Sequence, residues 1–144
     1  AGGRAGETLS AGLETTVTAD MPRRLGEKLA VNAGINAVTA LSRVPNGALV
    51  DGPATGVARD AARETAAVAA GAGIEIPDAP AETLAVAEAT APNTSSMQQD
   101  VLAGGRTEID AINGYIIEQA DRPVPVNATL TGLVRAWEQR EGHR

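Results

Sequence analysis

The fold class expected here is all-α, a helical bundle, and three observations predict it. The 144 residues contain no Phe, one Tyr and one Trp, so the apolar content is mostly small. Alanine-rich segments let helices approach closely and favour helix over strand. Gly and Pro punctuation cuts most of the chain into pieces of helical length. A chain this long buries roughly 70% of its unfolded surface, enough for one closed core.

Taken in order, residues 1–6, "AGGRAG", read as loose chain. "ETLSAGLETTVTAD" reads as a short helix stopped at Gly12 and a strand over Glu14 to Thr18. "AGGRAG" approximates a dinucleotide fingerprint, but that fingerprint follows an apolar strand, which is lacking before it here, so we reject it. Pro22 opens a long helix running to about Leu41. Pro45, Asn46 and Gly47 build a turn. A second helix covers about Thr55 to Ala70 and ends at Gly71 and Gly73, and a third covers "PAETLAVAEAT". Ser95 with Gln98, or Ser96 with Gln99, has capping-box spacing ahead of a short helix that Gly104 and Gly105 end. "RTEIDAINGYIIEQADR" reads as one helix with Thr107 and Asp110 in the same spacing, and Ile109, Ile112, Ile116 and Ile117 give it a buried face. Pro123 and Pro125 precede a last helix, about Asn127 to Arg140. The sum is a helical bundle (22–144) preceded by a short helix/strand remnant (1–21).

Composition excludes several function classes. With no Cys and one His, thiolate and His-based metal sites and a Ser-His-Asp triad are not expected, and no metal is assigned. Net charge is −6 with no basic stretch, which argues against nucleic acid. No apolar run reaches the length of a membrane span and nothing resembles a signal peptide, so a cytoplasmic protein is expected.

Lys28 is the only lysine, and it opens a polar stripe on the first long helix. At 100° per residue, Asn32 lies about 40° round from Lys28 and Asn36 about 80°, the three spanning roughly 12 Å. Apolar residues fill the rest of the circumference, which predicts a buried helix and a lysine held out of bulk solvent. On one reading the asparagines bond to neighbouring loops while Lys28 reaches water. On the other, they line a pocket. "SSMQQD" sets hydroxyls at a helix N-terminus, which favours an anion. "TEID" sets Glu108 in a first helical turn, which favours its ionised form. Together these groups suit a small hydroxylated or keto acid.

"EKLAVNAGINAVTAL", "PNG", "SSMQQDVLAGGRTEIDAINGYI" and "PVPVNATLTGLV" closely resemble the C-terminal domain of the ketopantoate reductase (2-dehydropantoate 2-reductase) family. The resemblance runs from about Leu13 to Trp137. It implies a fold like the C-terminal domain of 6-phosphogluconate dehydrogenase, and a reductase of pantothenate and coenzyme A biosynthesis that transfers hydride from NADPH to the C2 ketone of ketopantoate. On the family's pattern Lys28 matches the proton donor, and Asn32, Asn36, Asn46 and Ser96 match substrate-binding positions. Glu108 matches the carboxylate between substrate and cofactor, and so counts as both catalytic and cofactor-binding. The family has a bulky aromatic where this chain has Gly26, which suggests a looser setting for the lysine.

The family's N-terminal Rossmann domain, which holds most of the NADPH, is not in this sequence. The chain is therefore expected to be a fragment that binds no cofactor and turns over nothing alone. Its strand near Val17 is expected to pair with a second copy as a homodimer. Alternatives are a related 2-keto acid reductase domain with another substrate, or a non-catalytic dimerisation module. Asp100 and Asn113 read as structural, Tyr115 and Trp137 as core or interface anchors, and His143 as tail. Arg59, Arg63 and Glu64 read as a solvated face with local ion pairs.

Overall fold

A computed structural model describes the backbone of residues 11–144 and the side chains from Pro22 onward. The described residues form six α-helices: α1 (Ala11–Ser42), α2 (Thr55–Gly71), α3 (Ala79–Ala89), α4 (Ser96–Leu102), α5 (Asn113–Gln119) and α6 (Pro125–Arg140). Two short 3-10 turns, Asn46–Leu49 and Ile109–Ala111, join them.

Helix α1 is the axis of the bundle, packed against α2, α3, α4 and α6. Its middle, 33–40, is buried on every side, as a helix apolar all round should be. Two kinds of packing surround it. Toward α2 and α3 the contact is made of small residues, with Ala58, Ala61, Ala62 and Thr83 fully or almost fully buried. Gly34 permits the approach, because a Cβ there would stand 2.8 Å from the Ala58 carbonyl oxygen. On its other sides larger side chains close the core, among them Leu49, Met97, Ile109, Ile116 and Val134. Scarce aromatics are thus offset by close helix approach, which keeps interior density high with small groups.

Buried polar groups tie the helices together. Asn113, at the start of α5, donates from Nδ2 to the Ala33 carbonyl of α1 (3.2 Å) and to Asn127 Oδ1 (2.9 Å). Asn127 in turn donates to the Ala61 carbonyl of α2 (3.2 Å) and to Glu64 Oε1 (2.9 Å). The structural role expected for Asn113 is what these bonds describe. Glu64 differs from expectation: Arg63 does pair locally with Asp60, but Glu64 caps α6. It accepts the Val126 and Asn127 backbone N–H groups at 2.9 and 3.0 Å, donors that the first turn of a helix leaves unpaired.

Three other expectations are corrected. The short helix before Gly12 falls largely on residues 1–10, outside the described residues, as does "AGGRAG". Gly12 stops nothing, and Glu14–Thr18 is helix, not strand, because α1 begins at Ala11 and runs through Pro22. The β-branched Thr15–Thr18 favour a strand, but a lone strand leaves every backbone group unpaired, whereas a helix pairs them internally. Pro22 removes one bond, the one to the Thr18 carbonyl. No strand edge therefore exists among the described residues to pair with a second copy. Next, "RTEIDAINGYIIEQADR" is not one helix. Ile112, at φ −111° and ψ −96°, separates the 3-10 turn from α5. Finally, His143 is no loose tail: its Nε2 lies 2.8 Å from the Gly104 carbonyl, and its ring lies tilted beside Trp137 with centroids 6.4 Å apart.

Candidate functional site

Lys28 stands on α1 before the buried segment begins at Ala30, and it is exposed. The expectation of a lysine held out of solvent is corrected. Apolar residues flank it, but the α1 residues just ahead of it, 22–25, are themselves exposed. Lys28 has no hydrogen bond or ion pair with a described residue. At Gly26, Ile76 Cδ1 would lie 2.7 Å from an added Cβ. Isoleucine from the α2–α3 connection fills the room a larger residue would take.

Further along the stripe burial deepens. Asn32 is half-buried and Asn36 is 8% exposed. Neither amide bonds to a described residue, so the reading in which they serve neighbouring loops finds no support. Neither amide is sealed from solvent, so a polar ligand can reach both.

One turn past Asn36, Thr39 joins α1 to α4. Its Oγ1 donates to the Ile35 carbonyl (2.8 Å) and lies 2.7 Å from Ser95 Oγ. With the Thr39 proton so used, Ser95 donates to Thr39, and Ser95 Oγ accepts the Gln98 N–H at 3.2 Å. Of the two capping pairs, Ser95 with Gln98 is therefore the one formed. This frees Ser96, the first residue of α4, which is exposed. Asn46 is held beside them: its backbone N–H donates to the Asn93 carbonyl (3.0 Å) and its Nδ2 to Thr90 Oγ1 (3.0 Å). Its Oδ1 is buried with no partner. The bonds thus tie the middle of α1 to the start of α4 through Thr39 and Ser95, and Asn46 to Thr90 and Asn93 in the segment ahead of α4.

Glu108 is not in the first turn of an α-helix, as expected, but precedes the 3-10 turn at Ile109–Ala111. It is exposed, and no ion pair joins it to Lys28. Its neighbours are firmly held. Thr107 donates from both N–H and Oγ1 to Glu138 Oε2, each at 2.8 Å. Asp110 meets Arg144 (2.6 Å) and Arg135 (2.9 Å). The pairing of Glu138 with Thr107 was not legible in the sequence. The one available signal was an acidic residue in the last turn of α6, where the helix dipole disfavours it.

These contacts make an acid-sensitive clamp. The Arg144 hydrogen bond, opposed by burial, holds Asp110 below its ordinary carboxyl value. Burial pushes Glu138 up, but the Thr107 and Arg144 hydrogen bonds together outweigh it and leave the group lowered. A carboxyl whose folded pKa is depressed adds stability above its unfolded pKa, and that stability is lost as pH falls through the folded value. We therefore expect thermal stability to hold from neutrality to about pH 5 and then decline, each group adding at most about 1.4 kcal/mol per pH unit to the slope. Melting curves of the wild-type chain and Glu138→Gln across this range check it, the variant having the shallower acid limb.

Comparison with known proteins places the chain by sequence and fold. A family profile described as ketopantoate reductase PanE/ApbA C terminal matches residues 20–138. The 2-dehydropantoate 2-reductase of Halobacterium salinarum is 46% identical over 136 residues, 91% of this chain and 45% of its own length. Among solved structures, a PanE/ApbA family ketopantoate reductase from Ralstonia eutropha superposes with TM-score 0.76 at 38% identity, over 84% of this chain and 42% of that one. A D-mandelate dehydrogenase solved with NADH and anilino(oxo)acetate gives TM-score 0.76 at 28% identity, over 85% of this chain and 43% of that one. The chain spans less than half the length of these proteins. No helix among the described residues is long and apolar enough to cross a membrane. With a profile match over most of the chain and a helical fold shared with its solved relatives, the chain belongs to the ketopantoate reductase C-terminal family.

Proposed function

We propose that this chain is the substrate-binding and catalytic C-terminal domain of an NADPH-dependent ketopantoate reductase, reducing ketopantoate to pantoate in pantothenate and coenzyme A synthesis. In this reading 22–144 is the catalytic domain, the start of α1 leads in from a Rossmann domain, and the protein is cytoplasmic. The observation that carries the reading is the α1 stripe: Lys28, Asn32 and Asn36 are unpaired among the described residues although burial deepens along them. Such groups are completed by a polar ligand and by a second wall closing over the exposed end.

The donor set suits a small 2-keto acid. Ser96 at the α4 N-terminus binds its carboxylate, while Asn32, Asn36 and Asn46 bond its hydroxyl and keto oxygens without adding charge. Glu108, an exposed carboxylate without a partner, fits a ribose or substrate hydroxyl and would repel a phosphate, so NADPH would touch this domain there. When bound, the cofactor supplies hydride to the keto carbon. As negative charge grows on the keto oxygen, the Lys28 ammonium stabilises it and then donates a proton from Nζ. Exposure in the isolated domain leaves Lys28 hydrated, and closure against the nucleotide-binding wall would remove that water and strengthen its field.

A second reading, a related 2-keto acid reductase, is favoured by the similarity to D-mandelate dehydrogenase. Assay of a polypeptide joining this domain to a nucleotide-binding half separates the two. We expect NADPH oxidation with ketopantoate to exceed that with the aromatic keto acid of mandelate by at least about 100-fold in kcat/KM, a difference of roughly 2.7 kcal/mol in transition-state binding. A preference for the aromatic acid would favour the second reading, and the 144-residue chain alone should show no turnover.

A further inference from the structure

We infer that Glu138, acting through Thr107, is the positioning residue that sets where Glu108 stands. The inference rests on the catalytic reading of Glu108 above. The Glu108 carboxylate bonds to no described residue, so where it starts from is set by its backbone, whose carbonyl accepts the Ala111 N–H at 3.0 Å. That backbone is fixed on both sides. Ahead of it, the Thr107 N–H and hydroxyl both donate to Glu138 Oε2 at 2.8 Å. Behind it, the Ile109 N–H donates to the same Thr107 hydroxyl at 3.2 Å. One carboxylate oxygen therefore orders the peptide groups flanking Glu108, through a relay that ends on α6, 31 residues away.

The placement of Glu138 is costly for a residue that only fills space. It is 0% exposed, and it lies in the last turn of α6, where the helix dipole opposes a negative charge. An apolar residue of similar size would pack there without that cost. Arg144 Nε donates to Glu138 Oε1 at 2.7 Å, while Arg144 Nη2 reaches Asp110 at 2.6 Å. The same arginine thus secures the far end of the turn that carries Glu108. All of these contacts leave the Glu108 carboxylate itself free for ligand.

The test uses the complete two-domain reductase and a double-mutant cycle. Glu138→Gln keeps the size but turns an amide N–H₂ toward groups that are themselves donors. Thr107→Val removes the relay hydroxyl, and Thr107→Ser keeps it. We expect Glu138→Gln and Thr107→Val each to lower kcat/KM by about 10- to 100-fold, the penalty typical of a misplaced catalytic group, with Thr107→Ser close to wild type. In a Glu108→Gln background both losses should shrink to within about twofold, since there is then no carboxylate left to misplace. Losses that multiply undiminished in that background would overturn the inference by showing a general structural effect, as would wild-type activity in Thr107→Val. Should Glu138→Gln not fold, the Thr107 pair carries the same test. Wild-type turnover in Glu108→Gln alone would instead overturn the catalytic reading on which the relay depends.

Discussion

In a polypeptide that joins this domain to its nucleotide-binding half, Lys28→Ala is expected to lower kcat by about 10²–10⁴-fold, the range for loss of a general acid. Its melting temperature should not fall. Lys28 is exposed and has no partner among the described residues, so truncation leaves no orphaned charge and no cavity. Alanine is also the better helix former. This combination distinguishes chemistry from architecture, because a dimerisation module would keep whatever function it has. Lys28→Arg refines the result. A guanidinium keeps the positive charge but does not deprotonate in proteins, so it should recover part of the electrostatic stabilisation and little of the proton transfer. Steady-state rates and thermal melts of the three proteins decide it. Retention of more than a tenth of wild-type kcat in Lys28→Ala would remove Lys28 from the proton-donor role.

How much of this was readable beforehand depended on the kind of signal. Helices α2, α3 and α6 were placed to within about two residues, because Gly71, Pro80 and Pro125 are local stops and starts whose effect needs no tertiary context. The N-terminal part of α1 was misread for the opposite reason. Four β-branched residues in a row favour a strand locally, and with no strand to pair with among the described residues helix is the better solution. The turn ahead of α5 escaped for a subtler one. Ile109, Ile112 and Ile116 are all buried as their spacing predicts, but a 3-10 turn also sets residues three apart on one side, so the pattern could not show the break at Ile112.

At the site, residue types and spacing pointed to Lys28 and its asparagines, while exposure was misjudged. An apolar circumference says that a helix is buried somewhere along its length. It does not say where the helix leaves the bundle. Glu138 and Thr107 were illegible because their pairing joins positions 31 apart, and nothing in either local sequence announces the other. Glu64, assigned to a solvated face, failed in the same way: the helix it caps lies 62 residues downstream.

The packing that sets the depth of the stripe makes an equally sharp prediction, in which one substitution should have opposite signs at two sites. Gly34→Ala is expected to destabilise the domain by about 2 kcal/mol, and Gly132→Ala to stabilise it by up to about 1 kcal/mol. Both glycines are interior to helices, so alanine's propensity gain of roughly 1 kcal/mol applies at each. At Gly132 nothing lies within 4 Å of the new Cβ, and the gain stands alone. At Gly34 the Cβ would meet Thr83 Cγ2 at 2.7 Å and the Ala58 carbonyl oxygen at 2.8 Å. Thr83 is fully buried and its hydroxyl donates to the Ala79 carbonyl, so its methyl cannot swing away without breaking that bond. The Ala58 oxygen is backbone and cannot move without α2. Relief therefore requires α1 to back away from α2 and α3, opening the small-residue contact on which the bundle depends. Gly34 is two residues from both Asn32 and Asn36, roughly 200° round the helix from each, so the retreat would push the stripe outward. Thermal unfolding of the two variants, expected to move the midpoint by roughly 3 °C per kcal/mol, tests the sign at each site. A Gly34→Ala variant as stable as wild type would show that α1 is not seated against α2 and α3 as described.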